Sequence, residues 1–229
     1  MPICRVGIVE DHILMQEGLK VLVGNIEGFE CAWVANSAAQ AVARMQEQAA
    51  DMLLVDISLP DRSGFELIRD LQATHPEAAV LVVSMHDEEL YAERALKAGA
   101  RGYLMKNSSI EVFEQALKTV AQGGVAVSRS LSDRVLMAYS SGAPPRSETG
   151  LHMLSDREFE VFRLLGEGRS TFKTAEVLGI SPKTVDVHRR NIRSKLELED
   201  GGDVVRYAIR WTESRKHLGL PHEDRQESA

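Results

Sequence analysis

The first half of the chain alternates short apolar runs with longer stretches whose apolar residues recur every three or four positions. The short runs predict β-strands, and the longer stretches predict amphipathic helices. The predicted strands cover 5–9, 30–35, 52–55, 79–84 and 102–105, and the predicted helices cover 13–23, 37–48, 65–73, 90–98 and 110–122. This alternation predicts an α/β domain with a five-stranded, doubly wound parallel sheet that carries helices on both faces.

The second half has a different pattern, in which only helices are predicted from Leu154 onward. Before it, residues 128–139 show a weaker helical pattern, and residues 140–148 are rich in Ser, Gly and Pro, as linkers are. The last residues are polar and charged, which favours disorder. We therefore predict a first domain over 1–126, a partly helical linker over 127–149, a small all-α four-helix domain over 150–215 and a disordered tail over 216–229.

Composition narrows the class of protein. The 229-residue chain has no apolar run of membrane-spanning length and no basic-then-apolar leader pattern, so we expect a cytoplasmic protein without a membrane partner. The net charge is −7; all of it lies in the first 150 residues, and the remainder is neutral. Cys4 and Cys31 lie in apolar stretches without metal-ligand spacing, so we expect buried free thiols and no zinc site.

Several predicted strands end in residues that carry chemistry: Glu10, Asp11, Asp56, Ser84 and Lys106. The carboxyl ends of parallel strands share one edge of the sheet, so these side chains can converge there. Alone, Asp56 could be a structural cap, a metal ligand or a nucleophile. For the five residues together, the simplest alternative is an ordinary ion pair between Lys106 and one carboxylate. Clustered carboxylates suit Mg²⁺. A lysine and a hydroxyl beside them suit a phosphoryl group that a carboxylate attacks.

The same positions resemble a known family. The matching stretches, in order and at the family's spacing, are 9–12 (Val-Glu-Asp-His), 54–64 (Leu-Val-Asp-Ile-Ser-Leu-Pro-Asp-Arg-Ser-Gly), Ser84 and 102–106 (Gly-Tyr-Leu-Met-Lys). Residues 4–124 thus resemble the receiver domain of two-component response regulators. The resemblance implies that Asp56 accepts a phosphoryl group from a sensor histidine kinase. It implies a Mg²⁺ site made by Glu10, Asp11, Asp56 and the backbone carbonyl of Ser58.

The resemblance also implies a switch. Lys106 would pair with the phosphoryl oxygens, Ser84 would move to hydrogen-bond the phosphoryl group, and Tyr103 would follow it inward as a two-state element. Simple packing at the edge of the core is the alternative for Tyr103, and we assign no role to His12 or His86. An aspartyl phosphatase would need an acid two residues after its nucleophile, where this chain has Ser58. We therefore predict a signalling protein rather than an enzyme.

Cap residues divide the predicted helices of the second half. Ser155 and Glu158 have the spacing of a capping box, and Ser181 followed by Pro182 opens a later helix. Two short helices, a Gly-containing turn and a following capped helix predict a helix-turn-helix motif. The helix predicted over 182–196 is strongly basic. Solvated charge is the simplest interpretation, but its place as the second helix of the motif favours binding in the DNA major groove.

These segments resemble the LuxR-type helix-turn-helix domain over about residues 150–212. The matching stretches are 154–158, 168–170, 175–181, 183–188, 191–192, 195–196 and 206–209. The resemblance implies that Asp186, Val187 and Arg190 face the bases. It also implies that four residues lie near the phosphates or the groove wall: Lys183, Thr184, His188 and Arg189. Arg193 adds to the basic surface. The helix over 204–215 resembles the family's dimer-forming helix, and both halves together resemble the NarL/FixJ class.

Three stretches depart from the family's pattern. Asp186 stands where a basic residue is usual; an acid there repels phosphate but can accept a hydrogen bond from cytosine N4. Thr174, in the unusual run 171–174, stands at an aliphatic position, and 200–203 is a loose turn before the last helix. We predict a dimeric transcription regulator that binds double-stranded DNA under the control of Asp56 phosphorylation. The alternative is a receiver that signals through protein contacts, with a helix-turn-helix that has lost or altered DNA binding.

Overall fold

The computed structural model describes residues 3–133 and 150–217. The chain divides into two compact units, Met1–Pro145 and Arg146–Ala229. Most of the linker predicted over 127–149 lies outside the described residues, including its stretch rich in Ser, Gly and Pro (140–148) and most of the weak helix over 128–139. The tail from residue 218 also lies outside them. Within the described ranges, no helix combines the length and the apolar character that crossing a membrane requires.

The first unit contains a five-stranded parallel sheet with the strand order β2-β1-β3-β4-β5. The strands are β1 (Cys4–Val9), β2 (Phe29–Ala35), β3 (Met52–Val55), β4 (Ala79–Ser84) and β5 (Gly102–Met105). All four residues of β3 are buried, because the central strand is covered on both faces. This burial on both faces explains why the residues before Asp56 form an unbroken apolar run. The predicted fold class is confirmed.

Five helices cover this sheet: α1 (Ile13–Gly24), α2 (Ala38–Glu47), α3 (Gly64–Thr74), α4 (Glu88–Ala98) and α5 (Ile110–Ala121). Leu19 of α1 and Leu117 of α5 join one buried apolar cluster with side chains of the strands. Helices α2 to α5 each begin after a side chain that accepts a backbone N–H of the first turn. These caps are Ser37, Ser63, Asp87 and Ser109.

The chain returns to the sheet after α5, in a stretch that we call the exit segment (residues 125–133). The Tyr103 N–H donates to the Ala126 carbonyl over 2.8 Å, and Ala126 forms a parallel bridge with Gly102. Glycine permits this approach, because a Cβ on Gly102 would lie 2.6 Å from the Ala126 oxygen. The exit segment is helical from 129 to 133, and Leu131 is buried. The first residues of the predicted linker therefore contact the first unit.

The second unit is helical, with a short 3₁₀ turn (Leu151–Met153) before α6 (Asp156–Gly166), α7 (Thr171–Val177), α8 (Pro182–Lys195) and α9 (Gly201–His217). Serine side chains cap α6, α7 and α8, and the capping box predicted for Ser155 and Glu158 is present. The Phe162 ring contacts the rings of Tyr207 and Trp211, at centroid distances of 5.8 and 5.6 Å. These aromatic contacts fix α9 against α6.

The last helix begins earlier than the sequence suggests. The stretch 200–203 reads as a loose turn, but Gly201 already belongs to α9. Asp200 Oδ1 accepts the N–H of Asp203 (2.8 Å), and Asp203 Oδ2 accepts the N–H of Asp200 (3.0 Å). These reciprocal bonds satisfy donors at the helix start and outweigh the low helix propensity of the two glycines.

Candidate functional site

The sheet edge brings Glu10, Asp56 and Lys106 into one buried ionic cluster. Lys106 Nζ lies 2.6 Å from Glu10 Oε2 and 2.7 Å from Asp56 Oδ2, and the three side chains are at most 5% exposed. The cation therefore bridges two carboxylates, whereas the simplest sequence interpretation paired it with one. Burial lowers the pKa of Lys106, but the neighbouring Asp56 and Glu10 carboxylates outweigh it and raise the pKa. Lys106 thus stays charged at neutral pH.

The second oxygen of Asp56 is also held. Asp56 Oδ1 accepts the backbone N–H of Ile57 over 2.7 Å, and the Gly64 N–H donates to the Ile57 carbonyl. A Cβ on Gly64 would lie 2.3 Å from the Asp56 carbonyl oxygen, so the turn after β3 requires a residue without a side chain there. The carboxylate is thereby fixed in orientation at the end of the strand, as an acceptor group must be.

The acidic side of the pocket has the donor chemistry of a hard divalent cation. Glu10, Asp11 and His12 offer ligand atoms that all lie within 4.8 Å of one another. Asp11 Oδ1 is buried and accepts no hydrogen bond from the described residues. His12 Nδ1 is 2.8 Å from that oxygen but off the direction of a hydrogen bond. An orphaned carboxylate oxygen beside a second carboxylate fits Mg²⁺, which prefers oxygen ligands and retains water.

A second set of contacts joins the predicted switch residues. Ser84 ends β4 and is buried, and its Oγ accepts the His86 N–H over 3.4 Å. Tyr103 is also buried, and its hydroxyl donates to the His86 carbonyl over 2.7 Å. Burial raises the pKa of Tyr103, so this hydroxyl stays protonated and remains a donor. The ring predicted to move inward on phosphorylation already lies inside.

Sequence reasoning gave no role to His86 or Asp61, although both make contacts around the pocket. His86 Nε2 lies 2.9 Å from Ser58 Oγ, and the His86 ring stacks on Tyr91 at 4.6 Å between centroids. The Asp61 carboxylate accepts the backbone N–H groups of Ala38 and Ala39 at the start of α2. Burial opposes ionisation of Asp61, but these donors lower its pKa overall. The contacts of His86 with Ser58 and of Asp61 with α2 join distant parts of the chain, so no local sequence pattern predicts them.

In the second unit, α8 buries one side and exposes the other. Val185 and Ile192 are fully buried. The exposed residues include most of those predicted to meet DNA: Lys183, Asp186, Val187, Arg190 and Arg193. The helix thus presents a largely cationic surface of the width that fits a major groove.

The remaining predicted DNA contacts are less open. Arg189 Nη1 donates to Thr171 Oγ1 over 3.3 Å and to Asp186 Oδ1 over 3.5 Å. His188 and Thr184 are half-buried, and burial lowers the pKa of His188, which favours neutral imidazole at pH 7. Asp186, which is predicted to face the bases, therefore engages a cation of its own helix, and this partly offsets the repulsion it would exert on a phosphate.

Thr174 shows how the chain accommodates another departure. Its side chain is completely buried in α7, and its hydroxyl has no hydrogen-bond partner among the described residues. The helix forms nevertheless, because Ser170 accepts the Lys173 N–H and caps it. The substitution thus costs an unsatisfied buried hydroxyl and leaves the motif's geometry in place.

Comparison with known proteins matches both units. The model of the response regulator receiver domain matches residues 6–118, and that of the bacterial regulatory proteins of the luxR family matches residues 152–208. The transcriptional regulatory protein DegU of Brevibacillus brevis is 33% identical over 226 residues, covering 92% of this chain and 96% of DegU.

Solved structures agree. A two-component response regulator of the LuxR family from Aurantimonas sp. SI85-9A1 is 27% identical and superimposes with a TM-score of 0.56, covering 60% of this chain and 99% of that one. RcsB from Salmonella enterica serovar Typhimurium, solved on promoter rprA with the phosphomimetic BeF3⁻, is 23% identical with a TM-score of 0.60, covering 90% and 98%. The RcsB likeness concerns the fold alone.

Proposed function

We propose a mechanism for this chain on the premise that it belongs to the two-component response regulators of the NarL/FixJ class, with a receiver domain followed by a LuxR-family DNA-binding domain. It is a transcriptional response regulator, and its input is phosphorylation of Asp56 by a sensor histidine kinase. Its output is the binding of α8 to double-stranded DNA, as a homodimer formed through α9. Because the target is DNA, we place this activity in the cytoplasm.

The buried bridge of Lys106 between Glu10 and Asp56 carries the first half of the proposal. Asp56 attacks the phosphorus of a phosphohistidine, so that an O–P bond forms as the N–P bond breaks and the donor imidazole leaves. Lys106 lies within reach of the acceptor oxygen and would neutralise the incoming phosphoryl oxygens. Ser84 would donate a hydrogen bond to them.

A divalent cation fits the acidic side of this pocket. Glu10, Asp11, Asp56 and the Ser58 backbone carbonyl would hold Mg²⁺, which when bound supplies charge neutralisation for the phosphoryl oxygens. The orphaned Asp11 oxygen supports this assignment. Ser58 offers no acid for a leaving group or a water, which favours a phosphoaspartate that persists as a signal over rapid turnover.

The test of the acceptor is Asp56→Asn in the full chain. We expect the variant to lose all acid-labile phosphate uptake from a small phosphodonor with Mg²⁺, because the amide cannot act as the nucleophile. Asp70→Asn is the matched control, since Asp70 is exposed and pairs with Arg62 outside the pocket, and it should label as the wild type does. Labelling of the Asp56 variant at the wild-type level would assign the acceptor elsewhere.

The exposed basic surface of α8 supports the second half of the proposal, the binding of DNA. The alternative, signalling through protein contacts without DNA, draws support from the buried Thr174 hydroxyl and from Asp186, which engages Arg189. Binding to a random duplex separates the two. A DNA-binding protein loses affinity steeply with salt because phosphate contacts release counterions, whereas a domain that has lost this function shows no affinity to titrate.

A further inference from the structure

We propose that Glu88 is a positioning residue that couples the phosphorylation pocket to the start of the connection between the two units. This inference rests on the proposed function and deepens it, because it names the route by which the receiver reaches its output. The contact that carries it joins Glu88 Oε1 to the backbone N–H of Ser128 over 2.7 Å. Both residues are half-buried.

Ser128 is the N-cap of the helical stretch 129–133 of the exit segment. Its Oγ accepts the Leu131 N–H over 3.3 Å, and its carbonyl accepts the Ser132 N–H over 3.0 Å. The Glu88 carboxylate thus holds the N-cap of this helix from outside. Because a carboxylate that accepts an N–H makes a charge-assisted bond, it is one of the stronger restraints on the direction in which the chain leaves the receiver.

The exit segment makes a second contact with the receiver, through the backbone of Tyr103, the predicted switch residue. Ala126 accepts the backbone N–H of Tyr103, and the close approach depends on Gly102. The side chain of Tyr103 donates to the His86 carbonyl. The backbone of β5 therefore holds the exit segment while its tyrosine holds the loop after β4.

Glu88 lies at the other end of that same loop. Ser84 Oγ accepts the His86 N–H, and Asp87 caps α4 by accepting the Glu89 N–H over 2.9 Å. Glu88 is thus the first residue of α4, four positions after the side chain that would contact a phosphoryl group. A shift of this loop moves Glu88 and Tyr103 together, and both hold the exit segment, so Asp56 occupancy would bias its position.

The experiment uses the full chain with Glu88→Ala and Glu88→Gln. The readout is the ratio of apparent dissociation constants without and with beryllofluoride and Mg²⁺, for a duplex that the wild type has selected from a random pool. We expect Glu88→Ala to reduce this ratio about tenfold, as loss of a charge-assisted bond predicts. If the wild-type ratio is itself below about ten, the ratio in Glu88→Ala should fall to one. Glu88→Gln keeps an acceptor oxygen and should give an intermediate ratio.

Glu93→Ala is the matched control, because Glu93 is an exposed acid of the same helix that pairs with Lys97. It should retain the wild-type ratio. All three variants should take up phosphate from the small phosphodonor as the wild type does, since neither glutamate touches the pocket. A wild-type ratio in Glu88→Ala would overturn the inference.

Amide hydrogen exchange supplies a readout that does not need DNA. In the wild type, beryllofluoride should change the exchange of the Tyr103 and Ser128 amides together. In Glu88→Ala, the Tyr103 amide should still respond and the Ser128 amide should not. If beryllofluoride does not change the exchange rate of the Ser128 amide in the wild type, the inference is also overturned. Failure of the wild type to take up phosphate or bind duplex would instead refute the proposed function.

Discussion

Lys106→Met is the most direct test of the pocket's electrostatics. The substitution keeps an unbranched side chain that is one atom shorter, and it removes the charge that lies within 2.7 Å of two buried carboxylates. Both oxygens contact one nitrogen, so they are at most about 5.3 Å apart, and at an effective dielectric constant of about 20 their repulsion is at least about 3 kcal/mol. Removing one partner from a buried ion pair costs about 3–5 kcal/mol. We expect the first unit to lose about this much free energy of unfolding at pH 7.

The same reasoning predicts two recoveries. Mg²⁺ should restore stability to Lys106→Met, by about 2.7 kcal/mol at a hundred times its dissociation constant, because it binds the folded state only. Acid should also help, because protons taken up by the cluster relieve the repulsion between its two carboxylates and so favour the folded variant at low pH. The variant should therefore be more stable near pH 5 than at pH 7.

The assay is amide hydrogen exchange of β3, whose residues are buried and report the opening of the whole first unit. Lys118→Met is the control, since Lys118 pairs with Glu114 on the exposed face of α5, and surface pairs contribute less than about 1 kcal/mol. A loss below about 1 kcal/mol for Lys106→Met, with no extra response to Mg²⁺, would refute the charge-compensated cluster.

Two further predictions concern the second unit. Asp186→Lys should tighten binding to a random duplex and steepen the dependence of log affinity on log salt by about 0.9, the slope of one added phosphate contact. Asp186→Asn should leave that slope nearly unchanged, and an unaltered slope in the lysine variant would place position 186 away from the phosphates. Burial raises the pKa of Glu160 although Arg157 opposes it, so the unit's stability should fall as the pH rises from the usual glutamate pKa to the raised one. Glu160→Gln should remove this pH dependence. Unfolding of the second unit can be measured by Trp211 fluorescence in a Trp33→Phe background, and a pH profile that Glu160→Gln leaves unchanged would contradict the role of Glu160.

The strands and the site residues at their ends could be predicted because both follow from local pattern. A buried parallel strand must be continuously apolar, so β3 and the position of Asp56 are visible in four consecutive residues. The topology then implies that Glu10 and Lys106 come near it. The pattern does not show that one lysine forms ion pairs with two carboxylates.

Contacts between loops could not be predicted. His86 meets Ser58 across 28 positions, and Glu88 meets Ser128 across 40, so neither pair has a spacing that a periodic rule would detect. The start of α9 misled for another reason. Gly201 and Gly202 have low helix propensity and predict a turn, but the paired aspartates that flank them supply the missing hydrogen bonds.

The Asp61 carboxylate that closes the start of α2 has a consequence for how this protein can be re-engineered or diverge. A loop that begins after β3 completes a helix that begins after β2, so the two connections form one mechanical unit. Transplanting the loop around Asp56 into another scaffold without the start of α2 would leave the Asp61 carboxylate without these two backbone donors. The start of α2 and residue 61 therefore have to be changed together.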